Sequence, residues 1–311
     1  IYRLAAERFM IVVNASNNDK DWAWLNAVNE GKVRIDEARP FARIQHPVTL
    51  RDLRDPVHGA ECRVDMPLQG PKSRDILLSL IDDETLARRL KTLPWAGVTS
   101  GQVAGHDVVI SRTGYTGERI AYEIFVHPDE SPELWQKLIA AGEPFGIKPC
   151  GLAARDSTRT EAGLPLYGHE LAGDMGLNPA DAGFGSYVKL WKPFFVGRSA
   201  FLAHEATRDR VVTRFRMNEK GVRRPEGGDP VLDRRGKVIG VVTSCAIDSD
   251  GYLLGQAVLP LALSEADTAV SIYQLGGGQR PIRVPENVKP GAKLPMPDAA
   301  TVLTRFPSRK K

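Results

Sequence analysis

The chain lacks most of the features that would place it quickly. It has only three cysteines, Cys62, Cys150 and Cys245, far apart and odd in number. That pattern does not suggest a disulfide framework or a zinc site. Buried thiols in a reducing compartment are expected, the cytoplasm or the mitochondrial matrix of a eukaryote. No apolar run approaches the ~18 residues of a membrane helix, and no signal-peptide pattern opens the chain, so no membrane partner is expected. An excess of one charge is lacking too. Over 311 residues, 42 basic and 38 acidic side chains leave a net charge of +4. That excess permits an anionic small ligand or an acidic partner but does not indicate nucleic acid.

Short signatures of common chemistries are missing as well. There is no Walker loop, no dinucleotide fingerprint and no Gly-x-Ser-x-Gly elbow. The histidines His46, His58, His106, His127, His169 and His204 show no ligand spacing, so no metal is expected. No internal repeat and no low-complexity tract occurs. The first residue is Ile1, and strand-like sequence follows almost at once. Residues upstream of Ile1 are therefore expected in the whole protein.

What remains is the mixture of a globular protein, with 42% apolar and 26% charged residues. Residues 8–13 read as a buried strand and 14–18 as a turn. A helix over about 19–29 carries Trp22, Leu25 and Val28 on one face, with Gly31 as its C-cap. The charge-rich stretch 34–63 contains Pro40, Pro47 and Pro56 and reads as a long surface excursion. Leu68–Pro71 reads as a turn, and a helix follows over about 73–80. Strands are expected at 108–111 and 121–126, joined tightly through the glycines of 112–117. Helices are expected from Ser131, with Pro132 at its first position, to Gly142, and over about 152–162.

From about residue 210 the pattern changes to short strand-like runs at 211–217, 230–232, 238–243, 254–259 and 269–273. Asp233-Arg-Arg-Gly236 is a hairpin signal. These runs suggest a small barrel or sandwich. The expected division is 1–206 and 207–311, in an α+β fold.

Two polar features stand where a plain core would not put them. Glu123 lies inside an apolar strand, on the face it shares with Phe125, opposite Tyr122, Ile124 and Val126. It is either a residue of a solvated strand face or a carboxylate in a pocket, able to accept two parallel N–H bonds from an amino-heterocycle. Arg155 and Arg159 lie one helical turn apart, with Asp156 and Glu161 nearby. They read either as a solvent-facing helix with charge pairs or as an arginine supplied to an anionic or carbonyl-bearing ligand.

Longer strings make the reading specific. Arg112-Thr-Gly-Tyr-Thr-Gly-Glu118, Tyr122-Glu-Ile124, Gly151-Leu-Ala-Ala-Arg-Asp156 and Glu161-Ala-Gly-Leu-Pro-Leu-Tyr-Gly-His-Glu170 occur in that order. Phe9–Asn17 with Lys20-Asp21, Leu68-Gln-Gly-Pro71 and Gly240-Val-Val-Thr-Ser244 fall in register with them. The whole chain resembles the folate-dependent aminomethyltransferases, the T-proteins of the glycine cleavage system.

The resemblance implies a three-domain cloverleaf around a central folate pocket, with a barrel-like C-terminal domain. It implies tetrahydrofolate as carbon acceptor and the lipoylated H-protein as donor partner. The carboxylate that reads the pterin edge falls on Glu123, and a pocket arginine falls on Arg155. A second arginine falls on Arg214, and Asn14 and Tyr115 occupy motif positions near the same cavity. The family's catalytic aspartate precedes the segment matching Tyr2, so none is named.

The sequence also departs from the family. Ser186 stands where members commonly have a tryptophan, the end at 304–311 lacks the usual aromatic closure, and the segment 43–56 is longer than usual. Two other readings therefore stand beside the first: a folate-dependent demethylase of a small methylated compound, and a folate-binding protein without transferase activity.

Overall fold

The computed structural model describes residues 1–275, 282 and 297–307. The chain forms two compact units, Ile1–Cys150 and Gly151–Lys311. Both contain helix and sheet. Among the described residues, no helix is long and apolar enough to cross a membrane.

The first unit opens with a two-stranded antiparallel ribbon, β1 (Tyr2–Ala5) and β2 (Arg8–Met10). The strand expected over 8–13 is shorter than its apolar run, since only Met10 of that stretch is buried and Ile11 and Val12 are exposed. A turn capped by Asn14 leads into α1 (Asn18–Asn29). No helix or strand then occurs until a 3-10 segment at Pro56–Glu61.

The remainder of the unit is a four-stranded antiparallel sheet with three helices. Its elements are β3 (Val64–Gln69), α2 (Ser73–Leu78), α3 (Glu84–Thr92), β4 (Val98–Val103), β5 (His106–Ser111), β6 (Ala121–Val126) and α4 (Ser131–Gly142). The spatial order is β3-β6-β5-β4. β3 ends inside the stretch 68–71 that was expected as a turn, and it contains Pro67, which a central strand would not tolerate. As an edge strand β3 can accept it.

The helices cover one face of this sheet. Tyr122, Ile124 and Val126 of β6 pack there with Ile110, Leu77, Leu90 and Leu134. The other face carries a smaller cluster, in which Phe125 meets Tyr2 and Met10 of the ribbon. A strand buried on both sides explains why β6 is almost wholly apolar, and why a carboxylate inside it needs partners.

The second unit begins with α5 (Leu152–Glu161). A long irregular segment leads to α6 (Arg198–Thr207). Among the described residues, six strands then follow: β7 (Arg210–Met217), β8 (Pro230–Leu232), β9 (Val238–Ile247), β10 (Leu253–Pro260), β11 (Ala269–Ile272) and β12 (Asp298–Leu303). They close into an antiparallel barrel in the order β10-β7-β12-β11-β8-β9. Phe215, Met217, Val242, Ala257, Leu259, Ile272 and Val302 form its core.

The change of character read near 206/207 marks the passage from α6 to β7. The division between compact units falls earlier, at 150/151, because α5 packs on β9 and β10 of the barrel. Parts of the expected C-terminal domain, at 276–281, 283–296 and 308–311, lie outside the described residues.

Cys62 and Cys245 are buried, as expected. Cys150 is exposed, contrary to expectation, in the irregular stretch just before α5.

Candidate functional site

In the first unit, Glu123 sits on β6 between Ser111 of β5 and Pro67 of β3. It is half-buried. Its Oε2 accepts the Thr113 hydroxyl at 2.5 Å and also the Tyr2 phenol. The Thr113 oxygen lies 2.7 Å from that of Ser111 and 2.8 Å from that of Tyr2. Both Thr113 and Tyr2 direct their single hydroxyl proton to Glu123, so Ser111 is left as donor to Thr113. Among the described residues, no hydrogen bond reaches Oε1 of Glu123. One carboxylate oxygen is therefore fixed by two donors, while the other accepts no hydrogen bond among the described residues. Burial, and after it the hydrogen bond to Glu123, push the Tyr2 phenol up to about 12, so it stays a donor at neutral pH.

The loop that delivers Thr113 is held from below. Gln69 Oε1 accepts the Tyr115 backbone N–H at 3.2 Å and the Thr116 hydroxyl at 2.7 Å. Gly114 lies so close to this support that a Cβ there would sit 2.5 Å from Ala121 Cβ and 2.8 Å from Gln69 Oε1. Any side chain at 114 would displace the loop. β5 and β6 stop pairing at Ser111 and Glu123, so the connection is a formed loop rather than the tight hairpin expected.

The other expected residues are spread over both units. Asn14 caps the following turn, its Oδ1 accepting the Ser16 N–H at 3.2 Å and the Ser16 hydroxyl at 2.7 Å. Tyr115 is half-buried in the loop just described. Arg155 and Arg214 belong to the second unit. Arg155 is exposed on α5. Arg214 is 4% exposed on β7 and donates to the Thr304 carbonyl at 3.3 Å. Burial lowers its guanidinium pKa, against the opposing charges of Glu161 and Asp248.

The second unit also holds a polar network that the sequence reading did not single out, centred on Glu170. Its Oε2 accepts Arg159 Nη1 at 3.0 Å and the Leu166 N–H at 2.8 Å. Its Oε1 accepts the hydroxyls of Thr243 at 2.5 Å and Ser244 at 2.6 Å. Adjacent strand residues normally point to opposite faces. Here β9 shifts register against β10 between Gln256 and Ala257. The bulge leaves Thr243 unpaired and turns both hydroxyls to the same carboxylate.

Arg159 also donates to Asp156 Oδ1 from Nε at 2.7 Å and from Nη2 at 2.5 Å. Its Nη2 reaches Ser244 Oγ at 2.8 Å. The buried arginine of α5 is thus Arg159, engaged within its own unit, and Arg155 is the exposed one. The quoted strings contain Asp156, Glu170, Thr243 and Ser244, but nothing in their spacing links α5 to the bulge.

Comparison with known proteins agrees over most of the length. The sequence model described as the GCVT N-terminal domain matches residues 1–192. An aminomethyltransferase of Bacillus subtilis is 35% identical over 275 residues, covering 88% of this chain and 67% of the relative. One from Alkaliphilus oremlandii is 39% identical over 246 residues, covering 78% and 58%. Among solved structures, the glycine cleavage system aminomethyltransferase T from Bartonella henselae superposes with a TM-score of 0.60 at 27% identity. It covers 78% of this chain and 58% of the other. The chain thus spans about three-fifths to two-thirds of the length of these relatives.

Proposed function

The chain belongs to the aminomethyltransferase family of glycine cleavage T-proteins, and from that premise we propose that the protein transfers a one-carbon unit to tetrahydrofolate. The donor is the aminomethyl group carried by the lipoylated H-protein, and ammonia is released. The relatives described above all bear the name aminomethyltransferase. That favours this reading over a demethylase or a non-catalytic folate-binding protein. The proposal includes the cloverleaf arrangement around a central folate pocket, with 1–206 as the folate-binding region and 207–311 as the barrel domain. It also includes a compartment that keeps thiols reduced.

The observation that carries the proposal is the state of Glu123. A half-buried carboxylate with one oxygen held by Tyr2 and Thr113, and the other unbonded among the described residues, fits the N–H edge of a pterin. The held oxygen already accepts two hydrogen bonds, so the ligand's strongest bond falls on Oε1. When bound, tetrahydrofolate supplies the nucleophilic nitrogens that accept the carbon. The chain's own part is to orient that acceptor. Tyr2 and Thr113 fix the angle of the carboxylate, and Gln69 fixes the loop behind them. Arg155 suits the carboxylates of a glutamyl tail, and Asn14, Tyr115 and Arg214 complete the proposed binding set. No residue of this chain is assigned to proton transfer.

Calorimetric titration with tetrahydrofolate tests the reading, with Glu123→Ala as the variant. Removing one partner of a charged hydrogen-bonded pair is expected to weaken binding by roughly 2–5 kcal/mol. Absence of binding by the intact, folded protein would overturn the assignment.

A further inference from the structure

In the second unit, the turn 178–183 and helix α6 bring three side chains of ligand type together. Asp181 is fully buried, at 0% exposure. Its carboxylate is fixed by the turn: Oδ2 accepts the Asn178 N–H at 2.8 Å, and Asn178 Oδ1 accepts the N–H groups of Ala180 at 2.8 Å and Asp181 at 3.0 Å. His204 Nε2 from α6 lies 3.1 Å from Oδ1 and 2.9 Å from Oδ2. One ligand atom each of Asp181, His204 and Glu205 lie within 4.8 Å of one another. Glu205 Oε1 is shut off from solvent and, among the described residues, accepts no hydrogen bond. Arg208 Nε is 3.2 Å away, yet it too is buried without a hydrogen bond. The two meet as charges without bonding geometry.

From this arrangement we infer that Asp181, His204 and Glu205 form a binding site for a divalent transition-metal cation of the zinc class. A carboxylate withdrawn from water needs a compensating positive charge. Among the described residues, the ion-pair partner of Asp181 is a histidine, neutral unless protonated. A cation placed among the three groups compensates the buried Asp181 carboxylate and draws on the Glu205 carboxylate, whose Oε1 makes no hydrogen bond among the described residues. One imidazole nitrogen with two carboxylate oxygens favours zinc, cobalt or nickel over calcium or magnesium, which prefer all-oxygen sets. Three protein ligands leave a fourth position for water. Arg208 is the counterweight, because its guanidinium competes with the cation for Glu205.

Sequence spacing hides such a site. His204 and Glu205 are neighbours on a helix rather than a turn apart, and Asp181 lies 23 positions earlier. The expectation of no metal rested on the scattered cysteines and on the spacing between histidines, and took no account of carboxylates.

The test uses the whole chain after removal of metals with a chelator. Zn²⁺ is titrated by calorimetry, and Co²⁺ by its visible absorption. One equivalent should bind with micromolar affinity. His204→Ala and Glu205→Gln, both at half-exposed positions, should each weaken binding about tenfold or more. Arg208→Ala should tighten it. Thermal melting of each variant checks the fold, and if His204→Ala proves unstable, Arg208→Ala reads the same site from the opposite direction. Absence of saturable one-to-one binding, or binding unchanged by all three substitutions, overturns the inference and leaves the cluster as the fastening of α6 to the turn.

Discussion

Arg159 and Glu170 meet at 3.0 Å with side chains 3% and 0% exposed. They join α5 to the bulge of β9 through Thr243 and Ser244. Every acceptor position of the glutamate is filled, two on each oxygen. Arg159→Met would leave that carboxylate buried without its counter-charge, and the expected loss is about 3–5 kcal/mol, read from the urea midpoint. The double variant Arg159→Met, Glu170→Leu should recover much of it. A single variant as stable as the parent would show that the network contributes nothing net.

Tyr2→Phe removes one of the two donors to Glu123 Oε2 while keeping the ring that packs on Phe125 at a centroid distance of 5.7 Å. A lost hydrogen bond to a charged group is expected to cost roughly 1.5–3 kcal/mol, shared between stability and folate affinity. The folate loss should be smaller than for Glu123→Ala. Equal losses would mean that the phenol contacts the ligand itself rather than aiming the carboxylate.

Gly114→Ala puts a methyl group 2.5 Å from Ala121 Cβ. An overpacking cost of about 1–3 kcal/mol is expected. Because the loop must lift, Thr113 should lose Glu123, so the melting temperature and tetrahydrofolate affinity should fall together. A drop in affinity without loss of stability would place the loop under less constraint than its packing implies.

The thiols should separate by reactivity. Exposed Cys150 should react with an aromatic disulfide reagent in the native protein, whereas buried Cys62 and Cys245 should react only on unfolding. Burial raises Cys245 from its ordinary value of 9.0 to about 12. The folded state therefore holds this proton more tightly than the unfolded chain. Its contribution to stability is complete below pH 9.0 and is lost as the pH rises towards 12. The whole effect is roughly 4 kcal/mol at most. Cys245→Ala should flatten the alkaline limb of the stability curve, and an unchanged slope would assign that limb to other groups.

Much of this architecture was legible wherever a local signal coincided with burial. Pro132 at the first turn and Gly142 at the end gave the bounds of α4, and short turn-bounded runs gave β8 and most of the barrel. β4 was not read, because Gly101 and polar neighbours dilute its pattern. That glycine is needed where a Cβ would lie 2.6 Å from Leu86 Cδ2. β12 went unread because it follows a long segment without periodicity. The strand at 8–13 was overextended, since β2 ends at Met10 and apolar Ile11 and Val12 are exposed.

At the candidate sites, residue types were readable and partnerships were not. Glu123 was conspicuous as a carboxylate in an apolar strand, but its partner Tyr2 lies 121 positions away. Glu170 and Ser244 are 74 positions apart, joined by a register shift that no one-dimensional pattern reveals. Arg155 and Arg159 have the same chemistry and adjacent turns. Only packing decides which is buried.

The closed barrel also sets the order of events on the ribosome. β7 pairs with β10 on one side and β12 on the other, with Arg214 opposite Leu303. Until β12 emerges, β7 keeps an unpaired edge while translation continues at about 5–20 residues per second. For those seconds the nascent barrel is an open sheet with an exposed strand edge, a natural point of engagement for chaperones.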